Sequence, residues 1–332
     1  MPTEELKPGK LLELSGAYWQ TFALHTGVKL DLFTAIEQGE TTAAGAAASL
    51  GLDRRALAML LDALSAMELL EKQGDIYENS PMAATFLSKE SPRYIGFMIQ
   101  HHHHLVESWA RLEESIQTGK AVQIESRFDD QEQRESFLMG MFNIAMATAP
   151  TLVPFIDLSG KKHLLDLGGG PGTYAIHFCK ANPDLKATIF DLPTTRPFAE
   201  KTVARFDLSH AIGFEAGNFL EDPLPGSYDV VWLSHILHGD SPMDCDGIIQ
   251  KAVSVLQPGG TLIIHDFILD NTKDGPLFPA LFSLNMLVRT EKGQAYSEAE
   301  ITAMLTKAGI TNIERTPYKG PTDSGILLGL KP

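Results

Sequence analysis

Asp166-Leu167-Gly168-Gly169-Gly170-Pro171-Gly172 is the stretch that decides how this sequence reads. The apolar run 162–167 before it has the length of a buried strand, and 173–181 after it has a helical pattern. A dense glycine loop between strand and helix lets a ligand lie against bare backbone. Working outward, strands are expected at 162–167, 187–191, 212–216, 228–234, 261–267, 312–316 and 325–330. Helices are expected between them, at 173–181, 244–256 and 297–308. This alternation predicts an α/β domain whose mostly parallel sheet is covered by helices.

The half before residue 155 has another rhythm. Helices are expected at 11–26, 99–119 and 137–155, the last bent or broken around Thr148, Pro150 and Thr151. Segment 41–70 reads as helix, turn, helix, with Gly51 at the turn and Asp53 as the N-cap of the second helix. EKQGDIYENS (71–80) reads as a glycine-centred hairpin, completing a winged-helix pattern. DNA binding does not follow from it. The would-be recognition helix offers alanine, leucine and an acid after Arg54-Arg55, and the net charge is −15. Nucleic acid and anionic membrane both bind through clustered Lys and Arg, so neither is an expected partner. No unbroken apolar run reaches the roughly 18 residues that span a bilayer. The start MPTEELKPGK lacks a signal-peptide pattern, and Cys179 and Cys245 read as free thiols. A cytoplasmic location is the expectation.

Three cofactor classes compete for the glycine loop. No Gly-Lys-Ser/Thr follows it, which excludes a P-loop. Gly170, Gly172 and Ala175 satisfy G-x-G-x-x-A, and Asp191 lies where a ribose-binding acid belongs, so a dinucleotide fingerprint is a real rival. Asp166 separates the two. A carboxylate at the strand end opposes a pyrophosphate but favours the cationic methionine end of S-adenosylmethionine. On this reading Asp166, Gly168 and Gly170 line the methionine side, and Asp191 with Leu192 takes the ribose. Asn218 and Phe219 take the adenine, and Ser234 closes the fourth strand. The ordinary alternatives are a tight turn for the glycines, an N-cap for Asp191 and a plain Gly-Asn turn for Asn218.

Taken together, LLDLGGGPG, IFDLP, GNFLEDPLP, YDVVWLSHILHGDS, LQPGGTLIIHDFI and GQAYSEAEITAMLTKAGI resemble one family across nearly the whole chain. It is the family of S-adenosylmethionine-dependent small-molecule O-methyltransferases with an N-terminal winged-helix dimerisation domain, which includes enzymes acting on caffeate, acetylserotonin and hydroxyneurosporene. The resemblance implies a seven-stranded class I (Rossmann-like) methyltransferase domain at 159–332. It also implies an essentially all-helical winged-helix dimerisation domain at 1–105, connecting helices at 106–158 that line the substrate cavity, and a homodimer. The family's general base maps to His238 and its partner acid to Asp266. A second family acid maps to Ala295, leaving His238 one expected carboxylate. The family's Asp-Trp after the base is Gly239-Asp240 here. Phe142, Met146 and Met286 fall where the family contacts substrate, and Asn285 neighbours them. Core packing explains each of these four nearly as well.

The chemistry narrows the acceptor. A phenol titrates near 10 and histidine near 6.5, so full proton transfer would cost roughly 5 kcal/mol. A carboxylate behind the imidazole lowers that cost. An alkyl alcohol would need far more, so a phenolic or enolic hydroxyl is expected. His235 competes with His238 for the role of base. His265 should point to the strand face opposite Asp266. In the run His101-His102-His103-His104 only the first and last share a helix face, and no metal is expected. Methylation of sulfur or carbon on the same fold, or a non-catalytic ligand sensor, are the alternatives.

Overall fold

The computed structural model describes residues 7–122 and 131–332. The chain divides into two compact units, Met1–His104 and Leu105–Pro332.

The first unit holds α1 (Gly9–Gly16), α2 (Tyr18–Lys29), α3 (Leu32–Glu37), α4 (Ala43–Leu50) and α5 (Arg54–Ala66). Strands β1 (Leu70–Gln73) and β2 (Ile76–Asn79), α6 (Pro81–Phe86) and the start of α7 (Gly96–Trp109) follow. The helix expected at 11–26 is interrupted at Ala17. Gly51 ends α4 with a left-handed φ of 69°, and the Asp53 carboxylate caps α5 by accepting from Ala56 N–H at 2.8 Å. β1 and β2 pair antiparallel, with Gln73 opposite Ile76 across the Gly74-Asp75 turn. The unit is therefore helical with one two-stranded wing. Leu57, Leu61 and Leu64, spaced three and four apart, bury the inner face of α5 against Phe33 and Leu32.

The second unit continues with α8 (Leu112–Thr118), separated from α7 at Ala110-Arg111, so the helix expected at 99–119 is two helices. α9 (Gln131–Leu152) carries Pro150 inside its last turn and runs into a short 3₁₀ turn, Val153–Phe155. By length and composition alone Arg134–Phe155 is apolar enough to cross a membrane, a test that a helix packed in a protein core also passes. Counting unbroken apolar runs missed it because small polar residues interrupt the run. Ala149 and Leu152, both 0% exposed, belong to the core beneath the sheet.

That sheet holds β3 (His163–Leu167), β4 (Lys186–Asp191), β5 (Ile212–Ala216), β6 (Tyr228–Ser234), β7 (Leu256–Leu269), β9 (Thr311–Arg315) and β10 (Ser324–Leu330). Two-residue β8 (Tyr296–Ser297) adds to β7 off the main path. The order is β5-β4-β3-β6-β7-β10-β9, with β10 antiparallel to both neighbours. The helices are α10 (Thr173–Ala181), α11 (Arg196–Arg205), α12 (Pro242–Val255), α13 (Leu277–Arg289) and α14 (Glu298–Lys307). Alternate residues feed two cores: Leu164, Trp232 and Ile263 on one face, Leu165, Val231 and Ile264 on the other. Strand order reverses between β3 and β6. In such sheets ligands bind beyond the carboxyl ends of the strands at the reversal. The glycine loop leaves β3 and the histidine segment leaves β6, so both edge this crevice.

Candidate active site

The loop after β3 has left-handed backbone at Gly168 (φ 70°), Gly170 (φ 53°) and Gly172 (φ 78°), a region L side chains rarely adopt. A Cβ on Gly169 would come within 2.6 Å of Asp166 Cγ. Gly168 sits against Ile236 and Phe219, and a Cβ there would come within 2.3 Å of Ile236 Cδ1. Asp166 is 1% exposed and accepts from Ala175 N–H at 3.3 Å. The chain's own carboxylate therefore occupies the start of α10, where a dinucleotide would place its pyrophosphate. Burial pushes the Asp166 carboxyl up to about 7, and the charge of Asp191 acts in the same direction. No ion pair joins a described Lys or Arg to Asp166. A cationic ligand would relieve this crowding of acids, so the donor set fits the sulfonium and ammonium of S-adenosylmethionine.

Asp191 ends β4. Its Oδ2 accepts from Gly170 N–H at 2.8 Å, and its Oδ1 accepts from Leu192 N–H at 2.7 Å and from Thr195 Oγ1 at 3.0 Å. It thus ties the glycine loop to the next turn. Thr195 was not among the residues singled out from the sequence; a threonine four residues after an acid at a strand end was the available signal. Asn218 forms the ordinary turn: its Oδ1 accepts from Leu220 N–H at 3.0 Å and its N–H donates to Asp222. Phe219 is half-buried and does lie beside Gly168. Ser234 Oγ lies 2.9 Å from His265 Nδ1.

The acid–base pair forms across β6 and β7. His238 lies in the short turn Leu237–Gly239, and its Nδ1 is 2.7 Å from Asp266 Oδ1. Phe267 N–H also donates to that oxygen, at 2.8 Å. Asp266 is 3% exposed. Burial raises its pKa, but His238 and His235 outweigh burial and hold it well below the usual carboxylate range. Asp266 therefore stays ionised beside His238. Ala295 is 3% exposed and donates its N–H to Ser283, so nothing replaces the second family acid there.

His235 is closer to this pair than sequence position alone implied. Its backbone is left-handed (φ 57°), and its Nδ1 is 3.6 Å from Asp266 Oδ1. The ring lies 4.4 Å from Phe267 and 4.5 Å from His265, centroid to centroid. His235, His238 and Asp266 form the one described group whose ligand atoms lie close enough to share a metal ion. The hydrogen bond between His238 Nδ1 and Asp266 Oδ1 lies within that group. The run His101–His104 contributes to no such group among the described residues. His265 points away from Asp266 and stacks on Trp232 at 25°. It lies between Ser234 Oγ and Ser324 Oγ, the latter 3.1 Å from Nε2. Burial, reinforced by His235, drives its pKa well below 6.5, so it is neutral.

Aromatic rings wall the His238 side of α13. Phe282 meets the His238 ring edge-on at 4.8 Å, and Phe267 lies 4.5 Å from Phe282. Met286 and Phe142 are buried, Met146 half-buried, and Asn285 accepts from Trp109 Nε1 at 2.9 Å. A cavity of about 400 Å³ opens beside Gly239 and Asp240, lined also by Leu220, Ser241, Asp244 and Lys251. It holds none of the expected cofactor residues. Cys179 and Cys245 are buried free thiols, as expected.

Residues 109–311 match the O-methyltransferase domain, and residues 12–89 match the O-methyltransferase dimerisation domain. The chain belongs to the O-methyltransferase family. It is similar to the 3-hydroxy-5-methyl-1-naphthoate 3-O-methyltransferase of Streptomyces sahachiroi, at 33% identity over 99% of this chain and 97% of the relative. Among solved structures it is similar to an O-methyltransferase family protein from Burkholderia thailandensis. That pair has 31% identity and a TM-score of 0.87, over 99% of each chain. A second, PigF with S-adenosylhomocysteine, has 26% identity and a TM-score of 0.88 over 98% of this chain and 100% of that one. Members of this family are S-adenosylmethionine-dependent methyltransferases with the class I fold, and this O-methyltransferase is one of them. Some relatives are named for methylation of nitrogen or carbon.

Proposed function

We propose that this enzyme methylates an acidic hydroxyl, phenolic or enolic, on a small aromatic acceptor, with His238 as general base. The observation that carries the reading is the 2.7 Å contact between His238 Nδ1 and buried Asp266. With Nδ1 facing the carboxylate, Nε2 is the ring nitrogen left to take the acceptor's proton. Asp266 orients the ring and stabilises the imidazolium as it forms. S-adenosylmethionine, when bound, supplies the electrophilic methyl group. Asp166 and the backbone of Gly168 and Gly170 would hold its cationic end. Asp191 and Leu192 would hold the ribose, Asn218 and Phe219 the adenine, and Ser234 the edge of β6. The rings of Phe282 and Phe267, with Phe142, Met146 and Met286, suit a flat apolar acceptor and keep water from the base. Nitrogen and carbon acceptors remain the second reading. A base backed by a buried carboxylate favours oxygen.

The test is turnover of a phenolic panel by His238→Gln, alongside calorimetric binding of S-adenosylhomocysteine. We expect turnover to fall by about 10²-fold or more with binding unchanged. Undiminished turnover would remove His238 from the mechanism.

The partner is a second copy of the chain. Leu12, Leu14, Tyr18 and Trp19, on α1 and α2, are 57–74% exposed inside the segment matching the dimerisation domain. So large an apolar stripe calls for a cover.

A further inference from the structure

His238 sits in a 3₁₀ turn of three residues, Leu237–Gly239. Two backbone bonds close it, from Gly239 N–H to the Ile236 carbonyl at 3.1 Å and from Asp240 N–H to the Leu237 carbonyl at 3.2 Å. The residue after the base is glycine, which adds backbone freedom where the ring has to be held. Two buried side chains from distant parts of the unit grip this turn. Tyr296, 2% exposed, donates its hydroxyl to the Asp240 carbonyl at 2.6 Å. Cys245 on α12 is 0% exposed and donates its thiol to the Leu237 carbonyl at 3.1 Å. One hold lies before the base and the other after it. Bare backbone closes in as well: a Cβ on Gly293 would come within 2.5 Å of the His238 carbonyl oxygen.

Tyr296 is itself fixed to the strand that carries the acid. It forms β8, which pairs with β7 so that Tyr296 stands opposite Ile268, two residues beyond Asp266. Ser297 then caps α14 by accepting from Glu300 N–H, which anchors the backbone next to Tyr296. The acid and the base turn are thus both secured to β7. We propose that Tyr296 and Cys245 are positioning residues for the base, acting through the turn to keep the His238 ring against Asp266. This rests on His238 being the base. Ala295 offers the ring no second carboxylate, so its orientation depends on one acid and on the turn being held. A displacement of about 1 Å at such a contact can cost about 10²-fold in rate, and losing one of two holds should cost less.

The experiment combines initial rates on the phenolic panel with proton NMR of the whole protein. A carboxylate only accepts, so the proton of the His238–Asp266 bond lies on Nδ1. Held in that bond, it should give a slowly exchanging downfield signal, identified by its loss in His238→Gln. Tyr296→Phe should lower kcat by about tenfold with KM changed less than about twofold, and should broaden that signal. Calorimetric binding of S-adenosylhomocysteine should stay as in the wild type. Cys245→Ala should lower kcat a few-fold, and Cys245→Ser, which keeps a donor, should restore most of it; this pair also serves if Tyr296→Phe does not fold. A wild type without the signal overturns the inference, as does a signal unmoved in both Tyr296→Phe and Cys245→Ala. Losses of kcat matched by equal losses of S-adenosylhomocysteine binding overturn it too, because the damage is then general. A signal broadened in the variants while turnover stays intact leaves the inference standing and overturns the reading of His238.

Discussion

Two histidine clusters, one in each unit, use the same side chain for opposite ends. In the first unit His25 lies 5.5 Å from His103, ring to ring, with Phe22 beside both and Lys29 Nζ 3.4 Å from His103 Nε2. The groups facing one another there are imidazoles and an ammonium. Burial, and then His103 and His102, lower the pKa of His25 to about 4. In the second unit His235 and His238 surround Asp266, whose carboxylate stays ionised because they are there. The difference teaches that a histidine's role is set by the sign of its neighbours. Without a carboxylate the ring serves packing, and with one it is held against an ionised oxygen at the site.

The largest test of this contrast is His238→Ala, where we expect kcat to drop about 10²-fold or more. The matched change His25→Ala should leave kcat per folded protein untouched. Equal losses in the two variants would erase the distinction. Next is Asp266→Asn, which keeps the shape and removes the charge. A fall in kcat of about tenfold or more, read from initial rates across pH, is expected. A smaller effect appears in stability. The folded pKa of His25 lies below its unfolded value of 6.5. Its contribution is therefore complete above about 6.5 and declines as pH falls toward 4, because the unfolded chain binds the proton first. Thermal melts between pH 7 and pH 4 should show the wild type losing roughly 3 kcal/mol more than His25→Leu over that window. Parallel pH profiles would show that the ring titrates normally. The smallest effect is expected from His235→Asn, since asparagine tolerates the left-handed backbone at that position. A loss of only a few-fold in kcat would mark His235 as support for Asp266. A loss matching that of His238 would exchange their roles.

Much of the second unit was legible in the sequence because its signals are local. A buried strand, a glycine loop and a capped helix each announce themselves within ten residues, and Thr173–Ala181 forms as expected. β8 was not foreseen, since two residues carry no periodicity. β7 begins at Leu256, earlier than expected: Leu256 pairs with Tyr228 ahead of a register shift, and Gly259 and Gly260 bond to Lys331 in spite of Pro258. The breaks at Ala17 and Ala110-Arg111 lack a proline or a strong cap to signal them. Within the site, the pairing of His238 with Asp266 came from the resemblance, and the distance between them bears out the contact. The approach of His235 depends on a left-handed backbone at a residue that gives no warning of it. The hold of Trp109 on Asn285 spans 176 residues, beyond any local pattern.

The hydrogen bond from Ala175 to Asp166 has a consequence for the company this enzyme keeps. A cell offers many adenosine-bearing molecules, and most carry phosphates. Those phosphates seek the very helix start that the Asp166 carboxyl occupies. On the cofactor assignment proposed above, a nucleotide phosphate would meet a carboxylate where it seeks N–H donors. An adenosyl compound with a positive tail would be favoured there over one with a phosphate tail.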